Sequence, residues 1–433
     1  MQRIALPALE RRLQGRYVTL VQSHLSAVPE LAAGVRSLPA LSSAFAATQA
    51  AWRFFNNERI KLSELVEPLR DVGRERTAAL ESDFVILIHD WSKLTYRHAS
   101  KRDRVQLTHA TDIGYELTTA LLVSSDNGDP FAPMEIHLKT GKGILSTRQQ
   151  RPPDVHHLEQ VLPTMRASRR WGLARPIVHI IDREADSLDH FRQWAAKGHC
   201  FLVRADDRRV KFEGKSRLLT EICAVLRQRK AFREVGTAEY HSRPAQLWVA
   251  ETSVVLNRSG RKRVGGRRVN CGGRPLALRF IVVQLRSAPG RVLAEWFLLT
   301  NAPFSWADAE KLAHCYYWRW RIESFFKLMK SHGQQLEHWL QESGPALARR
   351  LLVAAMACVV VWQLQRNHTP EALVLKNVLV RLSGRQTKRS RPHSAPALLA
   401  GLWALLSMLA LLEHYKLSEI KQLASLIPCF DTG

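Results

Sequence analysis

The period of the hydrophobic pattern changes more than once along the chain. Across residues 9–25 and 44–55, apolar positions recur at helical spacing, interrupted by Arg11, Arg12, Arg16 and Arg53, so residues 1–75 are expected to be helical. At Phe84-Val85-Ile86-Leu87-Ile88 the pattern becomes a short continuous apolar run, which predicts a strand buried on both faces. Residues 113–123 and 133–138 predict two more strands, with Asp126-Asn127-Gly128-Asp129-Pro130 as the turn between them; together the three form an antiparallel meander. A helix over 154–171, a buried strand over 177–181, a helix over 187–197 and a strand over 200–203 follow. Residues 206–290 have a different texture. Strands over 247–256 and 276–285 flank a glycine-containing loop with Arg258, Arg261, Lys262, Arg263, Arg267 and Arg268, which reads either as a solvated hairpin tip or as an arm that contacts phosphates. Another strand is expected over 296–299, then one long helix over 306–332. The remainder is helical around a basic connection at 383–393 (Arg385, Lys388, Arg389, Arg391).

Strand–strand–strand–helix–strand–helix–strand with a late helix is the element order of a ribonuclease-H-like α/β core. The expected division is a helical domain (1–75), a first part of the core (76–205), a β-rich basic insertion (206–290), a second part of the core with an acidic helix (291–345), and a helical carboxy-terminal region (346–433). Residues 351–362 are apolar but too few to span a bilayer. Residues 395–412 reach the lower limit for a span yet contain Pro396, Gly401 and Ser407, and a buried helix is expected there.

Charge narrows the partner. Lys and Arg number 64 against 39 Asp and Glu, a net +25. Such a surplus points to a polyanion, nucleic acid ahead of an anionic membrane, because phosphate neutralisation releases condensed counterions. With 46% hydrophobic and 24% charged residues, a disordered or fibrous chain is excluded. No two of the six cysteines stand at CxxC spacing, which excludes a zinc knuckle and a thioredoxin-like pair and suggests reduced thiols inside a cell. The charged start of the chain, with Arg3, Glu10, Arg11, Arg12 and Arg16, is unlike a signal peptide.

Three acidic residues stand where the expected fold would bring them together. Asp90 is expected at the end of the first strand, Asp182 at the end of the strand over 177–181, and Glu323 on the late helix. Taken singly, each Asp reads first as a loop or N-cap residue, and it is the combination that points to a site. Three crowded carboxylates repel unless divalent cations neutralise them, and hard oxygen ligands select Mg²⁺ or Mn²⁺. On one continuous helix Tyr316, Arg319, Glu323 and Lys330 would fall within about 60° of one another. An amphipathic helix with an Arg319–Glu323 ion pair would also give this stripe, but Trp318, Ile322, Phe325, Phe326 and Met329 are available for core packing, which frees the polar side.

The Y–R–E–K spacing of Tyr316, Arg319, Glu323 and Lys330 resembles that of bacterial insertion-sequence transposases of the insertion-sequence-four type, in the DDE superfamily. Asp182-Arg183-Glu184-Ala185-Asp186 is similar to the second-aspartate motif of that family, and residues 89–98 (HDWSKLTYRH) to the first. The segments 51–57 (AWRFFNN), 201–204 (FLVR) and 295–300 (EWFLLT) also resemble family elements. The resemblance implies that Asp90, Asp182 and Glu323 are the catalytic metal ligands for two Mg²⁺ ions, with Mn²⁺ as substitute. It implies that Trp296, Tyr316, Arg319, Lys330, Arg204 and Arg183 bind DNA, with Trp296 stacking on a flipped base; from the sequence alone Trp296 reads equally as a core residue beside Phe297 and Leu298. Tyr316 is then a phosphate ligand and not a nucleophile. The implied activity is cut-and-paste transposition by nicking, hairpin formation and strand transfer. The implied partners are terminal inverted repeats, gripped by residues 1–75, target DNA, and a second copy in a synaptic homodimer. No membrane is involved, and the expected location is the bacterial cytoplasm, at the nucleoid. An inactive terminal-repeat-binding inhibitor and a nuclease of the same fold are the alternatives.

Overall fold

In the computed structural model the apolar run at Phe84 leads into the central strand of a large mixed sheet. The structure describes residues 4–26, 41–96, 101–149, 153, 155–240, 243–264, 267–288, 290–386 and 392–427. Arg97, His98, Asp154, Lys388, Arg389, Arg391, Cys429 and the side chains of residues 261–268 lie outside the described residues.

Four helices come first, α1 (Arg11–Ser26), α2 (Leu41–Asn56), α3 (Leu62–Leu65) and α4 (Glu67–Ala78). The core follows as β1 (Val85–Thr95), β2 (Val105–Gln106), β3 (Ile113–Val123), β4 (Pro130–Thr140), β5 (Gly143–Ser146), α5 (His157–Ser168), β6 (Ile177–Ile181), α6 (Leu188–Ala196) and β7 (Cys200–Arg204). Strands β3 and β4 run antiparallel beside β1, whereas β6 and β7 run parallel on its other side, giving the order β5-β4-β3-β1-β6-β7. This is the ribonuclease-H-like arrangement expected from the element order. Its parallel crossovers are made by α5 and α6, as parallel neighbours require.

The expected strand over 84–88 is longer than its apolar run. Strand β1 continues to Thr95, so Asp90 lies inside the strand opposite Thr119 and not at its end. Residues 92–95, of which only Leu94 is apolar, stay in the sheet because the eleven-residue β3 offers a register partner for each of them.

Between β7 and the last strand lie β8 (Arg209–Phe212), β9 (Lys215–Leu218), α7 (Leu219–Gln228), β10 (Arg233–Tyr240), β11 (Arg243–Leu256), the hairpin β12 (Gly260–Val264) and β13 (Arg267–Cys271), and β14 (Leu276–Arg286). Strand β15 (Val292–Thr300) pairs antiparallel with both β14 and β7, so the β-rich segment and the core form one continuous sheet. Alternate residues of each strand feed two cores. Ile180, Leu202 and Leu298 face one that includes α1, α2, α4 and the late helices, while Ile181, Phe201 and Leu299 face a second under α5, α6 and α7.

The single helix expected over 306–332 is two, α8 (Ala309–Tyr317) and α9 (Trp320–Met329). At the junction, N–H groups of Arg319, Arg321 and Ile322 bond to carbonyls only three residues back. The turn before β4 accounts for the break. Gly128, at φ +75°, lies so close to the Trp318 indole that a Cβ there would meet ring atoms at 2.4–2.6 Å, and its carbonyl accepts from Arg321 Nε at 2.8 Å. A tertiary contact of this kind overrides helical periodicity.

The chain ends in α10 (Gly344–Arg366), α11 (Pro370–Leu382), α12 (Ala395–Leu412) and α13 (Leu417–Ala424). Helix α10 is core, packed by α1, α2 and α12, and its buried Arg349 donates to the carbonyls of Phe55 and Ile60 at 2.9 Å each. Helices α10 and α12 are both long and apolar enough to cross a membrane by length and composition, and α10 spends that apolarity inside the protein. The buried helix expected over 395–412 is so only in its first half. Ala397, Leu398, Leu399, Gly401 and Trp403 are covered by α1, α10 and α11, whereas Met408, Leu409 and Leu412 are about half exposed.

Candidate active site

The register of the central strands sets the geometry. Ile88 pairs with Ile180 across the parallel β1–β6 ladder, so Asp90 and Asp182, each two residues further on, come level at the same edge. Side chains alternate along β1. His89 and Trp91 point toward α5, where the Trp91 indole stacks on His157 at 3.8 Å, and Asp90 points to the opposite face, against which α9 packs. Asp182 directly follows β6 and caps the short 3-10 turn Arg183–Ala185, accepting the Glu184 N–H at 2.9 Å.

Glu323 lies in the first turn of α9. One guanidinium joins it to β1: Arg319 Nη1 lies 3.1 Å from Asp90 Oδ2, and Arg319 Nη2 lies 3.0 Å from Glu323 Oε1. Burial pushes the Asp90 carboxyl up to about 6; Arg319 and the Trp91 N–H work against this, and the neighbouring charges of Asp182 and Glu323 reinforce it. For Arg319, burial alone would lower the pKa, but Tyr316, Asp90, Glu323 and Asp182 outweigh it and raise it. The Tyr316 phenol is raised chiefly by burial, against the influence of Arg319 and Arg204, so it stays protonated as a donor. Three carboxylates from β1, β6 and α9 thus share a neighbourhood whose bridging cation is one guanidinium. An all-oxygen donor set of this charge suits Mg²⁺ or Mn²⁺, and Asp90, Asp182 and Glu323 are the candidates to hold it.

The remaining sequence-derived residues are dispersed around this centre. Because the late helix is broken, Tyr316 sits in α8, Arg319 at the start of α9 and Lys330 just beyond its end, so the four do not form a stripe on one helix. The junction stays near-helical, which keeps Tyr316, Arg319 and Glu323 together. Lys330 turns to β1 instead, donating to the Lys93 carbonyl at 2.8 Å and pairing with Glu337 at 3.2 Å. Arg183 is exposed and pairs with Asp206 at 3.3 Å, outside the carboxylate group.

Arg204, at the end of β7, pairs in the sheet with Leu298, two residues beyond Trp296. Trp296 is 9% exposed, faces Tyr316 at 5.8 Å between ring centroids, and offers its open part to a cavity of about 810 Å³. Arg204, Tyr317, Trp318, Trp320 and Arg321 line the same cavity. Trp318, expected among the core residues, is therefore half-buried at the cavity wall, between it and Gly128. Tyr317 and Trp320 were not singled out from the sequence; the aromatic density of residues 316–320 was the available signal.

Residues 81–360 match the family described as "Transposase DDE domain". Among solved structures, the chain is similar at 11% identity and a TM-score of 0.35 to a piggyBac transposase in a cryo-EM synaptic complex with hairpin DNA, over 98% of this chain and 76% of that one.

Proposed function

The chain belongs to the DDE-domain transposase family, and from that premise we propose that it excises its own mobile element by a cut-and-paste route. Within the family, its Y–R–E–K spacing favours the insertion-sequence-four type. The observation that carries the reading is the Arg319 guanidinium bridging Asp90 and Glu323, which ties two of the three acidic residues into one centre.

In this reading Asp90, Asp182 and Glu323 would hold two Mg²⁺ ions, with Mn²⁺ as a substitute, and the chemistry such ions would supply there is activation of a water or 3′-hydroxyl and stabilisation of the leaving oxygen. Arg319 then exchanges its carboxylate partners for phosphate oxygens, which its planar fork fits equally well. Tyr316 donates its O–H to a neighbouring phosphate. Lys330 and Arg183, at the periphery, contact the DNA backbone further from the reacting bond. Before a strand can fold back into a hairpin, a base must leave the stack, at a cost of a few kcal/mol. The aromatic cavity beside Trp296 and Arg204 is suited to receiving it. Base–aromatic stacking is worth about 1–3 kcal/mol, so Trp296→Ala is expected to slow hairpin formation roughly ten- to a hundredfold while sparing the first nick. Equal slowing of both steps in single-turnover gels would make Trp296 a packing residue only.

Residues 1–75 are proposed to grip the terminal repeats. Arg12, Arg16, Arg53 and Arg59 line one cavity of about 450 Å³ between α1 and α2, a concentration of positive charge at the surface. Replacing Arg12, Arg16 and Arg53 together by Ala should weaken end binding and flatten its salt dependence. An unchanged salt slope in a fluorescence-anisotropy titration would move the grip elsewhere. The basic hairpin β12–β13 is a second candidate for backbone contact, and the carboxy-terminal region for the homodimer of a synaptic complex at the bacterial nucleoid.

The deciding assay incubates supercoiled plasmid carrying the element's own ends with and without Mg²⁺. Excised linear element with hairpin ends supports the reading. Random nicking would indicate a nuclease of the same fold, and a gel shift without cleavage an inactive inhibitor.

A further inference from the structure

We propose that His156, His157 and Glu184 form a second metal site, specific for a transition ion of the Zn²⁺ class, on the face of β1 opposite the catalytic carboxylates. The three residues come from two segments that meet only in the fold, the start of α5 and the turn after Asp182. One ligand atom from each lies within 4.8 Å of the others. His157 Nε2 is 3.0 Å from Glu184 Oε1, close to the separation of two ligands on one small ion, so an ion can replace that hydrogen bond with little movement. The displaced Nε2 proton leaves to solvent.

The surroundings are those of a metal-bound imidazole. Glu116, on β3, lies 3.3 Å from His157 Nδ1, the carboxylate–histidine arrangement that orients a ligating ring and strengthens its other nitrogen as a donor. The Trp91 indole stacks on the His157 ring at 3.8 Å and the His156 ring lies 3.8 Å away, so His157 is held on two sides. His156 and Glu184 are exposed, leaving a route for an ion and a remaining coordination position for water.

The donor set determines the ion. Two imidazoles and one carboxylate favour Zn²⁺ and its first-row neighbours over Mg²⁺, whereas Asp90, Asp182 and Glu323 offer only oxygen. The two sites are therefore chemically orthogonal. This one would fasten the turn that follows Asp182 to the start of α5. It does not depend on the cut-and-paste reading.

The test is a titration of full-length, chelator-treated protein with Zn²⁺ in excess Mg²⁺, followed by calorimetry and thermal melting, and with Co²⁺ by its visible absorption. One ion per chain at micromolar affinity or better is expected, with a higher melting temperature. His156→Ala and Glu184→Gln change exposed side chains, so the fold should persist in the metal-free far-UV spectrum, and each should weaken binding by at least tenfold. Glu116→Gln should weaken it about ten- to a hundredfold. Glu323→Gln should leave it unchanged, because that residue is on the other face. No tight Zn²⁺ in the wild type overturns the proposal. So does equal affinity in His156→Ala and Glu184→Gln, or loss of binding in Glu323→Gln, which would place the ion at the catalytic carboxylates.

Discussion

If the proposed function holds, amide substitution at any one of Asp90, Asp182 and Glu323 is expected to reduce excision by at least about a thousandfold while leaving end binding intact, since loss of one carboxylate that would hold metal removes several kcal/mol of transition-state stabilisation. Glu323→Gln is the most informative of the three. It keeps the shape of the side chain and the Arg319–Asp90 pair at 3.1 Å, so the packing of α9 against β1 has no reason to change. The side chain is partly exposed, and its amide can still accept from Arg319, which keeps its second carboxylate partner in Asp90. Activity and stability should therefore separate, with a melting temperature near that of the wild type and no excised product in Mg²⁺. A Glu323→Gln protein that excised at the normal rate would remove Glu323 from the centre. For Asp182→Asn some loosening of the following turn is expected as well, because its carboxylate caps the Glu184 N–H.

The second large effect is expected from acid, well before most carboxylates titrate. His24 is sealed between Gln334 and Trp339, and His89 and His179 form a buried pair 2.9 Å apart under α5 and α6. Burial pushes His24 and His89 down to about 3, reinforced by Arg350 for His24, and holds His179 well below its ordinary value, reinforced by His89 and His199. In the unfolded chain these rings take up protons near pH 6.5. Above that pH all are neutral in both states and no stability is lost. Below it the unfolded chain binds protons that the folded one refuses, so stability falls with pH until the folded-state values are reached. At pH 5 His24 and His89 each cost about 2 kcal/mol, and His179 acts in the same direction. Asp90 acts in the opposite sense, since its raised pKa lets the folded protein take up a proton first, and offsets about 1 kcal/mol. The remainder is a substantial part of the stability of an ordinary domain. Urea midpoints should hold between pH 8 and 7 and drop steeply from pH 6 to 5. A midpoint as high at pH 5 as at pH 7.5 would mean that these rings do not remain neutral and buried.

The parts of the fold legible in the sequence were those whose burial is complete. The runs 84–88, 177–181 and 200–203 had to be strands covered on both faces, and residues 126–130 had to be a turn, because local composition leaves few alternatives there. The position of Asp182 followed from the same logic, as the first polar residue after a buried strand. What stayed hidden depends on partners distant in sequence. Asp90 reads as terminal because the continuous apolar run stops at Ile88, and the length of β3 keeps residues 90–95 in the sheet. The break at Trp318–Arg319 is set by Gly128, 190 residues earlier in the chain. The outer half of α12 has the composition of a core helix and lacks only neighbours to cover it. His156, His157 and Glu116 carry no motif, and the motif that contains Glu184 points to Asp182; the four are gathered by the fold and not by spacing.

The join between β7 and β15 has a consequence for how the molecule is made. Those strands are hydrogen-bonded neighbours, yet residues 205–291 separate them, and α9 with Glu323 follows later still. Closing a loop of that size has to precede the contacts that reward it, and non-local sheet pairing of this kind is slow. The antiparallel set β10, β11, β14 and β15 is local enough to form first and dock as a unit on the edge left by β7. Until it does, that edge is an open row of unpaired peptide groups, the kind that templates association between chains. Yield on refolding should therefore be governed by the competition between this docking step and aggregation, and should rise as protein concentration is lowered.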